Sequence, residues 1–513
     1  MQARHLSFLT LLALSAPAAA QDFNNDGYDD LVIGVPDEDI GSIADAGAVH
    51  VLYGSASGPI LSGFQTWSQD ASGVNDSCEA YDRFGYSLAC GDFNNDGYDD
   101  LAIGVPYEDI VITWLFEYTD AGMVQVLYGG PGGLSASGNS WYTEGSFGTS
   151  NLDDYDNFGF SLAAGNFDRP ESGDDFAVGA PNEDIGSIVD AGAVFVIYSS
   201  QGKGQYVSNE ILSQDMSDVP DTAEAYDHFG YTLAASHNLP NIFHPDILAI
   251  GVPYEDIGSA YEAGAVSVHY GEYNYGVNYS SEFWTQDRGT MLDVAESFDN
   301  FGQALAWGRF HRLDVNELAV GVPGEDLNGI ENAGAVAVIP VNANQGELTS
   351  NGNQLWSQDS AKVLDACESG DLFGFALAAG DFNEDGLDDL AIGVPFEDIN
   401  GLSNPGAIAI LFARSTGGLG AGGNQFWYQG NAGMPGMLEA YDNFGDRLAA
   451  GDVNGDGRSQ LIVGVRYEDI GTVSDAGAVF VLADGPAGYG TQIWDQGSLG
   501  SVEAYDHMGG SVQ

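Results

Sequence analysis

One segment returns seven times along this chain, and that repeat constrains the fold more than any other feature. The run Ile-Gly-Val-Pro, or a close variant, ends at Pro36, Pro106, Pro181, Pro253, Pro323 and Pro395, and Val-Gly-Val-Arg ends at Arg466, so the spacing is 70 to 75 residues. Each unit keeps one order: a Phe-Gly-x-x-Leu-Ala segment, an acidic loop, the Gly-Val-Pro segment, Glu-Asp-Ile, Asp-Ala-Gly-Ala-Val, a Gly/Ser-rich turn and a Trp-containing segment. A fixed period of this kind marks a repeat architecture. The apolar stretches are short, rich in Val, Ile, Leu and aromatics, and bounded by Gly, Asn, Asp and Pro, which reads as strands and turns. No stretch holds a helical period over a useful length. Four strands per unit and seven units predict an all-β, seven-bladed β-propeller of four-stranded blades. The main rival, a parallel β-helix, is built from rungs much shorter than about 70 residues.

The two ends of the chain add to this reading. The first unit starts at its acidic loop and lacks the Phe-Gly strand, and residues 503–513 supply that strand with no loop after it. The C-terminal strand is therefore expected to complete the first blade and close the ring, removing both free edges. Residues 1–20 read as a signal peptide and 21–513 as a single propeller. Its units are 22–70 plus 503–513, 79–143, 153–215, 224–287, 296–359, 368–430 and 439–497.

The leader is read from Arg4 and His5, an apolar run, and Ala18–Ala20 before Gln21. No later stretch is apolar enough to span a bilayer, so no transmembrane anchor is expected. The chain is expected to be exported: secreted, at the cell surface or periplasmic. With 76 acids against 12 bases and a formal charge of −64, its field repels nucleic acid and suits cations, basic partners or high salt. Cys78, Cys90 and Cys367 form no recognisable framework, and no disulfide is expected.

The acidic loops carry the chemistry. In the pattern D-x-N-x-D-G-x-x-D, oxygen-bearing side chains fall at positions 1, 3, 5 and 9, Gly at 6 makes a sharp turn, and position 7 offers a carbonyl. That set suits Ca2+, which takes six to eight hard oxygen ligands. The first loop offers Asp22, Asn24, Asp26, Tyr28 and Asp30, and the second Asp92, Asn94, Asp96, Tyr98 and Asp100. The third offers Asp381, Asn383, Asp385, Leu387 and Asp389. The fourth, Asp452, Asn454, Asp456, Arg458 and Gln460, has lost its last carboxylate and is expected to be a weaker site. Segments 166–175, 237–246 and 309–317 have lost the pattern in whole or in part. Position 12 holds Ile33, Ile103, Ile392 or Val463, not the bidentate Glu of an EF-hand. An Asn/Asp-rich hairpin without an ion is the alternative.

The Phe-Gly and Gly-Val-Pro signatures around such a loop resemble FG-GAP repeats, those of the integrin α-subunit propeller. Related repeats occur in the propeller of GPI-specific phospholipase D and in bacterial secreted proteins. The resemblance covers essentially all of 22–513. It implies a seven-bladed propeller with calcium in the hairpins between first and second strands, and it supplies no ligand.

Alternating strands put the acidic loops on one face and the remaining blade-to-blade loops on the other. That other face collects Glu38, Asp39 and Asp45 and their repeats, together with pairs such as Glu79/Asp82 and Asp153/Asp156 before each Phe-Gly. Their recurrence predicts capping and pinning of neighbouring blades, with a ring of further cation sites as the alternative. One insertion, 111–120, breaks the symmetry; Trp114, Leu115, Phe116 and Tyr118 there are candidates for contact with a partner or for self-packing. Trp67, Trp141, Trp284, Trp356, Trp427 and Trp494 recur once per blade and are expected to pack between blades. The histidines are scattered and no nucleophile motif appears, so no enzyme is expected. The expected function is a secreted, calcium-binding, integrin-α-like module for adhesion or protein binding, a monomer with an extracellular protein or glycan as partner. The alternatives are a calcium-dependent, lectin-like carbohydrate binder and a polysaccharide-degrading enzyme.

Overall fold

The computed structural model describes residues 21–513, except 114–115, 149–151, 170–172, 200–208, 217–218, 237–244, 278–279, 313–314, 343–345, 432–433, 483–490 and 500–501. The signal peptide read at 1–20 lies outside the described residues.

Seven four-stranded antiparallel sheets form the blades of a propeller. The second blade is representative, with strands Ser87–Gly91, Asp100–Val105, Met123–Tyr128 and Ser135–Tyr142 ordered from the axis outward. The first blade takes Leu31–Val35, Ala48–Tyr53 and Ile60–Trp67 from the start of the described chain and Ser511–Val512 from its end. Ile33 pairs with Val512 and Gly34 with Ser511, so the C-terminal strand closes the ring.

The signature residues of the repeat are the joints between blades. Every residue of Asp100–Val105 is buried, because a neighbouring blade covers each face of the strand. At its centre a Cβ on Gly104 would lie 2.1 Å from the carbonyl oxygen of Gly159, the Phe-Gly glycine of the next blade. The same contact recurs from Gly34 to Gly85 and finally from Gly464 to Gly509. Any side chain at these glycines would push the blades apart. Phe84, Phe158, Phe229, Phe301, Phe373, Phe444 and Met508 are fully buried at the seven seams. Phe84 N–H donates to the Ala46 carbonyl of the preceding blade at 2.9 Å. The core is thus a ring of seam clusters, each shared by two blades.

Trp284 and Trp427 are buried in these seams, while Trp141 is 47% exposed. Trp141 therefore departs from the packing role expected of the series. All three cysteines are buried and free.

Candidate functional site

The four complete acidic loops share one construction. The carboxylate of loop residue 1 (Asp22, Asp92, Asp381 or Asp452) accepts the N–H of residue 5 at 2.9–3.1 Å with one oxygen. Its other oxygen accepts the N–H of residue 6 at 2.7–2.9 Å. Residue 5 in turn accepts the N–H of residue 7. The wrap needs left-handed backbone at residues 4 and 6, which Asn25 (φ 55°) and Gly27 (φ 92°) supply.

Residue 9 is buried beneath the loop and ties it to the blade. Asp30 accepts N–H groups of Phe23 and Gly54, Asp100 that of Gly129, and Asp389 that of Ala413. Burial, followed by repulsion from the carboxylates at loop positions 1 and 5, pushes Asp30, Asp100 and Asp389 each up to about 8. Asn94 donates to Asp100 and Asn383 to Asp389, so positions 3 and 9 are in contact. Asn24 Oδ1, Asp100 Oδ2 and Gln460 Oε1 are buried and accept no hydrogen bond. Unsatisfied buried oxygens among several carboxylates are the donor set of a hard cation, so the residues fit the ion that the spacing suggests. In the fourth loop Gln460 donates to the Arg458 carbonyl at 3.0 Å, occupying the expected position-7 ligand. The Arg458 guanidinium pairs with Glu384 at 3.1 Å.

The neighbouring acid, residue 8, has a different role that its spacing did not reveal. Asp99 accepts the N–H of Asp22 in the preceding blade at 2.8 Å and donates its own N–H to the Asp22 carbonyl. The same reciprocal clamp joins Asp174 to Asp92, Asp246 to Asn166, Asp388 to Arg309 and Asp29 to Asp452. In the seventh blade Ser459 keeps only the backbone half of the clamp, to Asp381.

The degenerate loops depart as their sequences suggest. In the third blade Asp175 still accepts the N–H groups of Phe167 and Ser199, but residues 170–172 lie outside the described residues. In the fifth, strands Leu305–Arg312 and Val315–Val322 run on as a hairpin, and Arg309 places its guanidinium on Asp388 at 2.9 Å. Of the segment 237–246, residues 237–244 lie outside the described residues.

On the opposite face the recurring acids cap backbone. Asp82 accepts the N–H of Glu79, and Asp39 that of Asp45, with equivalents around the ring. The glutamates of the Glu-Asp-Ile segments, buried except for the half-buried Glu38, accept from a glutamine of the preceding unit. These pairs are Gln69–Glu108, Gln214–Glu255, Gln286–Glu325, Gln358–Glu397, Gln429–Glu468 and Gln496–Glu38. The remaining seam, between the second and third blades, has Glu144 in the glutamine's place.

This face also carries an aromatic ring that the sequence reading did not single out. Tyr81, Tyr155, Tyr226, Phe298, Tyr441 and Tyr505 occupy equivalent positions, are 52–64% exposed and have φ of 71–77°. Bulky residues avoid that region, and the sixth blade meets the same geometry with Gly370 (φ 88°). Phe298, Gly370 and Tyr441 border a cavity of about 740 Å³. Its wall includes Tyr231, Tyr254, Phe375, Phe396 and Tyr467, and at its side the buried Asp446 meets Arg466 at 2.8 Å. The insertion at 111–120 forms a hairpin of Ile110–Thr113 and Phe116–Tyr118. Tyr118 is half-buried; Trp114, Leu115 and the side chain of Phe116 lie outside the described residues.

With fold and site in view, comparison with known proteins gives the class. The FG-GAP repeat model matches residues 13–52, 84–127, 373–411 and 444–482, the four units whose acidic loops are complete. The chain is an integrin-α-like FG-GAP propeller. Phosphatidylinositol-glycan-specific phospholipase D from Rattus norvegicus is 27% identical over 387 residues, which cover 74% of this chain and 42% of the relative. Integrin alpha-5 from Xenopus laevis is 27% identical over 237 residues, 46% of this chain and 19% of the relative. The chain thus matches about two fifths of the length of the phospholipase D relatives. A solved leech intramolecular trans-sialidase aligns over 90% of both chains at 8% identity with a TM-score of 0.38, too low to carry an argument. Among the described residues no helix is long and apolar enough to cross a membrane.

Proposed function

We propose that the protein is an exported, calcium-stabilised binding module, and that the face opposite the acidic loops receives its partner. The exposed aromatics at equivalent positions of six blades, with Phe298 and Tyr441 bordering the cavity, carry the proposal. Gly370 satisfies the backbone at that position, so the aromatic side chains on the other blades are not required by the turn. Exposed aromatics held in an unfavourable backbone region are found where a surface is used. The surrounding field is strongly acidic, and aromatic faces attract cations, so the favoured partner is a protein presenting Lys and Arg. Calcium would be held at Asp22–Asp30, Asp92–Asp100 and Asp381–Asp389, and more weakly at Asp452–Gln460. There it would neutralise clustered carboxylates and stiffen the hairpins, leaving recognition to the other face.

The test is a triple variant, Tyr226→Ser, Phe298→Ser and Tyr441→Ser, in a binding assay against a panel of basic extracellular proteins with calcium present. The expected result is loss of every interaction the native protein makes, at an unchanged melting temperature. Undiminished binding by the variant would overturn the assignment of the face. Tyrosine platforms also suit sugar rings, which favours a carbohydrate-binding second reading; a glycan array run beside the protein panel separates the two. Turnover of a polysaccharide or of a phosphatidylinositol-glycan by the purified chain would replace both with an enzymatic role.

A further inference from the structure

The seam between the second and third blades is built differently from the other six. Elsewhere a buried glutamine donates its amide N–H to the glutamate of the Glu-Asp-Ile segment, as Gln69 does to Glu108 at 2.6 Å. Here Tyr142 pairs with Val124 as Trp67 pairs with Val49, so the run Trp-Tyr-Thr-Glu-Gly puts Glu144 in the donor's place. Glu144, Asp156 and Glu183 each bring one carboxylate oxygen to within 4.8 Å of the others. They are 1%, 1% and 7% exposed. It is the one group of three acidic, His or Cys side chains so close among the described residues.

A glutamate where its relatives have an amide donor can hold the seam only by keeping a proton to donate or by sharing a cation. Glu183 Oε2 is buried with no amide donor and faces the carboxyls of Glu144 and Asp156, whereas the equivalent Glu108 Oε2 is paired with Gln69. The charges that most perturb the three carboxyls are one another, Asp153 and Asp184, all acidic. Such a cluster stays folded only if it takes up protons or a cation. The geometry favours the cation. Calcium binds oxygen at 2.3–2.6 Å, so oxygens around one ion lie up to about 5 Å apart, a span within which these three fall. Three carboxylates also offer six oxygens, enough for calcium without the several waters that magnesium retains.

We propose that Glu144, Asp156 and Glu183 form a calcium site that staples the second blade to the third, on the face away from the acidic loops. Glu144 comes from the exit of one blade, and Asp156 and Glu183 from the entry and the second-strand loop of the next. The ion would replace the Gln–Glu hydrogen bond of the other seams.

The test compares the full chain with Glu144→Gln, which restores the residue used at the other seams and should fold. Both are dialysed to equilibrium against calcium, and bound metal is counted by elemental analysis. The variant is expected to hold one ion fewer than the native chain. It should also melt higher than the native chain in chelator near pH 7, where the native cluster has no ion. Equal counts would overturn the proposal and leave a protonated cluster as the explanation. A parallel variant, Asp30→Asn/Asp100→Asn/Asp389→Asn, keeps this site separate from the loops. If the loops hold calcium it loses ions that Glu144→Gln keeps, and if they hold none the difference of one between native and Glu144→Gln still decides.

Discussion

Asp100→Asn should stabilise the chain in chelator and take less stability from calcium than the native chain does. The native Asp100 carboxylate is fully buried, accepts the Gly129 N–H at 2.9 Å, and is pushed up to about 8, first by burial and then by repulsion from Asp92 and Asp96. A carboxyl raised in the folded state holds its proton more tightly than the unfolded chain does. Stability therefore falls as pH rises from the unfolded value of 3.8 toward 8. At 1.36 kcal/mol per pH unit, the ionised group costs at most about 5 kcal/mol at pH 8. Asparagine removes this cost and keeps an oxygen for Gly129. In calcium the gain shrinks, because the variant loses a site that contributes about 2.7 kcal/mol at 100 times its dissociation constant. Unfolding entropy of about 2.1 cal/mol/K per residue over roughly 490 residues is about 1 kcal/mol/K, so that loss is worth about 3 °C.

Differential scanning calorimetry at pH 8 and fixed ionic strength, with calcium or with chelator, measures both arms. The variant should melt above the native chain in chelator, and its rise on adding calcium should be about 3 °C smaller. An equal fall in both media would make Asp100 a structural hydrogen-bond acceptor and nothing more. A native chain whose melting follows total salt, with no preference for calcium over magnesium, would refute the ion sites altogether.

The wider pH profile follows the same sign. In chelator the native chain should lose stability steadily from pH 5 to pH 8, as Asp30, Asp100 and Asp389 are forced to ionise, and saturating calcium should flatten the curve; denaturant midpoints at three pH values check it. Asp99→Ala should behave unlike its neighbour. It strands the half-buried Asp22 N–H, costs about 1–3 kcal/mol, and lowers the melting temperature equally with calcium and with chelator. Deleting residues 508–513 removes the fully buried Met508 and the strand paired with Ile33 and Gly34. That opens an edge on the first blade, and the shortened chain should lose far more stability than Asp99→Ala and self-associate in sizing experiments.

The blade count, the strand order and the closing strand were legible because a period of some 70 residues allows few architectures. Loop residue 9 was legible because its spacing from residues 1, 3 and 5 is a pattern inside one repeat. Residue 8 was not. In an extended segment adjacent side chains point to opposite sides, so Asp100 turns under its own loop while Asp99 turns to Asp22, 77 positions away. No single repeat contains both halves of that contact. The exposed aromatics were hidden for another reason: in Glu-Ala-Tyr-Asp the Asp announces a cap, but nothing in the letters gives the Tyr a φ above 70°. The available signal was Gly370 in the aligned place of the sixth blade. Glu144 was concealed because Tyr142 stands where the other segments have Trp, with Trp141 one position earlier, which hides the alignment of Glu144 with Gln69.

The positions of the complete loops around the ring suggest where an ion matters most. They lie in the sixth, seventh, first and second blades, which are consecutive once the ring is closed, whereas the third, fourth and fifth have lost the pattern. The fifth blade instead has the Arg309–Asp388 pair, which fixes one seam with a covalently attached cation. The complete loops therefore surround the single place where a blade is assembled from both ends of the chain. At that joint Ile33 pairs with Val512 and Gly34 with Ser511, and Val32 and Gln513 exchange both backbone hydrogen bonds. Local opening of such a joint sets its hydrogen exchange. The Asp29–Asp452 clamp spans this joint between two acidic loops, so an ion in either loop orders a residue of the clamp and slows the opening. Calcium should accordingly slow amide exchange most in Ser511–Gln513 and Leu31–Val35, and least in the third to fifth blades. Mass-spectrometric hydrogen exchange with calcium and with chelator reads both regions in one experiment. Uniform protection, or protection greatest in the third to fifth blades, would show that the loops' position around the ring has nothing to do with its closure.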